Sequence, residues 1–108
     1  MIVYNMFLKM MSYDIRGRYC IEILFSIDGS EKYSQCWMGK LYDKDIGKDV
    51  YWYGLTPDDK NAYCYVSFDD FMSAEVFKGK SLVEIWDIVR ILEIDGCDPE
   101  ERIKFYTE

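Results

Sequence analysis

The segment Arg18 to Ile27, RYCIEILFSI, decides how the rest of the chain is read. Tyr19, Ile21, Ile23, Phe25 and Ile27 fall on one side of an extended chain, and Arg18, Cys20, Glu22, Leu24 and Ser26 on the other. A period of two with one wholly apolar side marks a strand that buries one face and keeps the other mixed. Asp28-Gly29 follows at once, a pair suited to the positive φ angles of a tight hairpin turn. Residues 31–42, EKYSQCWMGKLY, then return with Tyr33, Trp37 and Leu41 in alternation. The two segments are expected to pair antiparallel.

Further along, DKDIGKD (43–49) carries Gly47 among short polar residues and leads into VYWYGL (50–55), a third strand, and AYCYVS (62–67) adds a fourth after Thr56-Pro57-Asp58-Asp59. From Ser67 the period changes. Phe68, Phe71, Met72 and Val76 recur at helical spacing behind a Ser67/Asp70 cap and before Gly79, and Ser81-Leu82-Val83-Glu84 is a capping box that opens a second helix. Residues 88–94, IVRILEI, are rich in β-branched side chains and acceptable as helix or strand; strand is preferred because a sheet is there for them to join. Asp98-Pro99-Glu100-Glu101 has the marks of a helix start: a capping carboxylate, proline at the first position and acids in the first turn. These elements define an α+β fold. Its antiparallel sheet has three to five strands over roughly 18–27, 32–42, 49–55 and 62–66, with 89–95 as the fifth, and short helices over roughly 68–78, 81–87 and 98–105 pack on one face.

No linker or compositional break divides the 108 residues, which reads as one domain, 1–108. Met10 and Met11 offer alternative starts that would leave residues 1–10 as an N-terminal extension outside the core. The net charge of −7 is unevenly spread: residues 1–55 balance seven basic against seven acidic side chains, so the whole excess lies in residues 56–108. Such a field opposes direct binding to nucleic acid or to anionic membranes and favours a basic partner. The four cysteines are widely spaced and there is no histidine, which removes the usual zinc patterns and every Ser/His or Cys/His nucleophile. The opening MIVYNMFLKMM lacks a basic leader and a small-residue cleavage site and is too short to span a bilayer, so a cytoplasmic protein with reduced thiols is expected.

No catalytic, metal or cofactor motif emerges. The acid pairs Asp58-Asp59, Asp69-Asp70 and Glu100-Glu101 are adjacent in sequence and point apart, and DKDIGKD fails as a calcium loop because Gly47, Lys48 and Gly54 stand where ligands or the turn glycine belong. In size and composition alone the chain resembles small inhibitory binding proteins, such as toxin-immunity and phage-borne anti-defence proteins. That resemblance implies a non-enzymatic protein that binds a basic or nucleic-acid-binding partner. The residues expected to meet it are Tyr51, Trp52 and Tyr53 as aromatic anchors, with Asp58, Asp59, Asp69, Asp70, Asp95 and Glu100 as rim charges. The alternatives are a small-ligand or peptide-binding domain using an aromatic sheet face, and a carboxylate- or cysteine-dependent enzyme.

Overall fold

The alternation in the first strand sets the register of the whole sheet. In the computed structural model, which describes residues 2–17, 19–58 and 60–108, the first strand is β1 (Ile21–Ile27), and Arg18 at its expected start lies outside the described residues. The chain runs α1 (Tyr4–Met11), β1, β2 (Cys36–Asp43), β3 (Lys48–Gly54), β4 (Ala62–Tyr65), α2 (Phe68–Ser73), α3 (Leu82–Ile85), a single 3₁₀ turn (Trp86–Ile88), β5 (Val89–Ile94) and α4 (Pro99–Thr107). The strands form one antiparallel five-stranded sheet in the order β4-β3-β2-β1-β5, so the α+β architecture read from the sequence is the one observed. The fifth segment is a strand, with a bulge where β1 passes from Leu24 to Phe25 against β5.

Ile21, Ile23 and Phe25 are fully buried, and pairing carries their face onto Lys40, Met38 and Cys36 of β2. The covered face of β2 is therefore its even-numbered side. Trp37 and Leu41, the residues whose alternation suggested the buried side, point the other way. The connection also differs from a tight hairpin. Ser30 N–H does bond Ile27 O around Gly29 (φ 79°), but the ladder with β2 starts only at Cys36, and Tyr33 turns into the core from the intervening loop.

On the covered face, Tyr53 stacks on Phe71 with ring centroids 4.2 Å apart, meets Phe77 edge-on and donates its hydroxyl to Phe71 O at 2.8 Å. The second helix stops at Ser73, five residues short of the expected end, because Ala74 is extended. Lys78 and Gly79, both at positive φ, then form a two-residue turn across which Phe77 and Lys80 exchange backbone bonds. That turn drives Phe77 into the core against Phe25 and Tyr53. Gly79 thus makes a turn where a helix stop was expected. The other caps follow their sequence signatures. Ser67 accepts from Asp70 N–H, Ser81 and Glu84 complete a capping box, and Asp98 accepts from Glu101 N–H ahead of Pro99.

Two nodes tie the layers together. Helix α1, not anticipated, places Phe7, Met10 and Met11 in the core, so residues 4–10 pack as part of the domain and do not stand outside it as an extension. Its C-terminal end is closed by Lys40, only 2% exposed, whose Nζ donates to Met11 O at 2.8 Å and Tyr13 O at 2.6 Å and lies 3.7 Å from the Asp49 carboxylate. Burial lowers the pKa of this amine, and Asp49 opposes the shift. At the other node Asp95, at φ 54°, accepts from Glu22 N–H through one oxygen, and from Arg102 Nε at 2.8 Å and the Tyr106 hydroxyl through the other. It locks the β5–α4 turn to β1.

Lys40→Met keeps the apolar stem but leaves the last carbonyl of α1, Met11 O, and Tyr13 O just beyond it without this donor. Urea unfolding is expected to show a loss of about 1–3 kcal/mol, with faster amide exchange in α1. An unchanged midpoint would show that the ammonium does not hold the helix.

Candidate functional site

All four helices contribute to the core on one side of the sheet, and the residues of opposite parity form a second face that none of them covers. Across it, Leu24 stands opposite Trp37, Trp37 opposite Gly54 and Gly54 opposite Ala62. The next row is Glu22, Gly39, Trp52 and Cys64, and Leu41 with Val50 makes a third. Trp37 and Leu41 are 38% and 41% exposed. Glu22 and Glu93, the latter opposite Leu24, bring carboxylates to the β1–β5 side.

The two indoles do not pair with each other across the strands. Each faces a glycine instead, Trp37 on Gly54 and Trp52 on Gly39. A Cβ at Gly39 would lie 1.9 Å from Ile21 O and 3.0 Å from Trp52 Cζ2, so the indole lies against bare backbone that no side chain could occupy. Trp52 Nε1 is shut off from solvent and has no acceptor among the described residues. An indole N–H left without a partner carries a cost of about 1–3 kcal/mol, a sign that packing holds this ring and not hydrogen bonding.

The residues nominated from sequence divide among three places. Trp52 is on the uncovered face. Tyr51 and Tyr53 point to the covered one: Tyr51 is half-buried against Phe68 and Phe71, and Tyr53 is 1% exposed. Tyr53 therefore offers no surface to a partner. Three consecutive aromatics on a strand must alternate faces, and the register gives the odd-numbered positions to the helices. Asp58 is exposed in the β3–β4 connection, its pKa lowered by bonds from the Thr56 hydroxyl and Lys60 N–H, while Asp69 and Asp70 are exposed in the first turn of α2. These three bracket β4 in the chain; Asp59 beside them lies outside the described residues. Asp95 is not a rim charge, because its carboxylate is engaged by Arg102, Tyr106 and Glu22 N–H. Glu100 is exposed on α4, beyond the opposite edge of the sheet.

Sequence reading left Trp37, Leu41, Cys64, Glu22 and Glu93 out of the site. The glycines at 39 and 54, each two residues along the strand from a tryptophan, were the available signal for Trp37.

Two of the four thiols, Cys36 and Cys20, are poorly set up for nucleophilic chemistry. Burial pushes Cys36 up to about 11, and burial with the nearby Glu22 and Asp95 carboxylates raises Cys20. Among the described residues no group of three or more Asp, Glu or Cys could hold a metal ion, and no helix is long and apolar enough to cross a membrane. A recess of about 660 Å³ lies at the far edge between Tyr4, Trp86, Val89, Ile91 and Pro99. Its Arg90 is engaged by Asp28 at 2.8 Å and by the carbonyls of Asp87 and Val89.

No family model, curated protein or solved structure matches the chain.

Two outcomes check this geometry. Gly39→Ala is expected to destabilise by about 2 kcal/mol or more, since the new methyl meets backbone, whereas Trp37→Ala should cost less than about 1 kcal/mol; equal losses in thermal melts would contradict the packing. In native protein, iodoacetamide should modify Cys20, Cys64 and Cys97 and spare Cys36 until unfolding. Mass spectrometry of the labelled sites reads the result.

Proposed function

We propose that the chain is a non-enzymatic protein-binding module that docks a basic protein through its uncovered sheet face, acting as an inhibitor by covering a basic or nucleic-acid-binding surface. One observation carries this reading: Trp37, Trp52, Leu41 and Val50 lie together on a face that none of the described helices covers. Exposed aromatic and aliphatic groups grouped on one face mark interaction surfaces, and tryptophan is among the commonest hot-spot residues. Trp37 and Trp52 are the anchors, and they need little ordering on binding because the strand already fixes their positions.

Charge sets the sign of the partner. The excess of −7 falls entirely in residues 56–108, and Asp58, Asp69 and Asp70 are exposed and flank in the chain β4, whose Cys64 ends the Trp52 row. Exposed carboxylates of this kind act mainly by steering encounter. The raised thiol pKa values of Cys36 and Cys20 and the engagement of Asp95 support a non-catalytic role. Four free cysteines suit a reducing compartment such as the cytoplasm.

A small-ligand role is the second reading, favoured by the volume of the recess beside Trp86, which is within the range of ligand sites. The engaged Arg90 weakens it.

For the protein-binding reading, the association rate with the partner should fall at least ~10-fold between low and physiological salt. Reversing Asp69 and Asp70 to Lys should produce a similar fall, and Trp37→Ala should weaken the equilibrium affinity at least ~10-fold. Surface plasmon resonance measures all three. Binding that ignores salt and charge reversal rules out the basic partner, and binding that ignores Trp37→Ala rules out the face.

A further inference from the structure

The two edges of the sheet are finished differently. At the two ends of β5 outward backbone groups are occupied: Val89 N–H donates to Trp86 O, Arg90 Nη1 donates to Val89 O at 3.2 Å, and Ile94 exchanges both of its bonds with Cys97 at 3.1 and 2.9 Å. Strand addition there is blocked at both ends.

Edge β4 has no such closure. Leu55 N–H donates to Asn61 O at 2.9 Å, which makes these two a hydrogen-bonded pair of the β3–β4 ladder. Alternation along an antiparallel pair then turns the backbone groups of Tyr63 and Tyr65 toward β3 and those of Ala62 and Cys64 away from it. Among the described residues nothing bonds the outward N–H and C=O of Ala62 and Cys64. Both residues are exposed, and Val66 just beyond them is 57% exposed. The β3–β4 register is unbroken by a bulge, and residues 62–65 contain neither proline nor lysine, so of the usual guards of a free edge β4 keeps its shortness, four residues.

We infer that β4 is a docking edge, to which the basic partner adds an extended segment of its own chain as a further strand of the sheet. The partner's charge rests on the reading above; the mode of docking rests on the edge. Main-chain bonds to Ala62 and Cys64 supply the pairing, and alternate guest side chains lie beside Cys64 and the Trp52 row, continuous with the uncovered face. Charge selects the occupant. Asp58 and Lys60 precede the strand in the chain and Asp69 and Asp70 follow it, so the acidic excess lies toward the α2 end, where Lys or Arg of a guest is favoured. A second copy paired antiparallel through β4 would instead bring Asp69 and Asp70 of one chain toward both Asp58 and Lys60 of the other, and what opposes it is the net charge of −7 on each chain.

The test uses the full-length protein and a blocked synthetic peptide of alternating Val and Thr with Lys and Arg at both ends. Two controls accompany it: the same peptide N-methylated throughout its central residues, and one with Glu in place of every Lys and Arg. Saturation with the basic peptide should slow amide exchange at Ala62 and Cys64 at least ~10-fold, with N-methylation and charge inversion each weakening binding at least ~10-fold. Several results overturn the inference: no binding at millimolar peptide, bound peptide with free-rate exchange at Ala62 and Cys64, or equal binding by either control. Protection of the same amides in concentrated protein alone, with a dimer by light scattering, overturns it in favour of a second copy. Failure of the face reading is seen separately, as unchanged partner affinity in Trp37→Ala.

Discussion

β1 is hydrogen-bonded along both edges, to β2 and to β5, and it carries Ile21, Ile23 and Phe25 on a single face. A slip of one residue would turn all three to water, at about 1.5–3 kcal/mol for each side chain. The register of β1 therefore cannot drift, and every other placement follows from it. Lys40 must face the core because Ile21 does, so its ammonium needs partners inside the protein and finds them at the end of α1. Trp37 must face outward because Leu24 does. One strand's alternation thus both draws the helices to one side and assembles the aromatic face on the other.

The two sides are stabilised in different ways. The covered face has a conventional aromatic core, with Tyr53, Phe71 and Phe77 packed ring to ring. The uncovered face is flattened by glycine: with no side chain at Gly39, the Trp52 indole lies down on the backbone and gives up an acceptor for its N–H. The result is a face on which Trp37 and Trp52 each lie beside a glycine and not beside each other. The same asymmetry extends to the edges, where β5 is closed by Arg90 and the Ile94–Cys97 turn while β4 is open.

Legibility in the sequence followed the range of the interaction. The caps at Ser67, Ser81 and Asp98 are decided within three residues, and their helices start where the sequence placed them. The strand at Val89–Ile94 was also legible, because β-branched residues found a sheet to join. Helix α1 was not, since its C-terminal closure comes from Lys40, 29 positions from Met11. The covered side of β2 was hidden because Cys36 and Met38 compete with Trp37 and Leu41, and only pairing with β1 decides between them. Asp95 looked like a surface charge until α4 brought Arg102 and Tyr106 to it. Within the candidate site, Trp52 was readable from strand parity. Parity also separates Tyr51 and Tyr53 from it, but which of the two sets is covered depends on the face the helices take.

The most direct measurement is hydroxyl-radical footprinting of the chain, free and in complex with a basic protein captured on it from lysate at low salt. Protection is predicted at Trp37, Leu41 and Trp52, with Phe105 on α4, exposed in the free chain, modified at its free rate. Protection centred on α4, with Trp37 as reactive as in the free protein, would contradict the assignment of the uncovered sheet face as the interface.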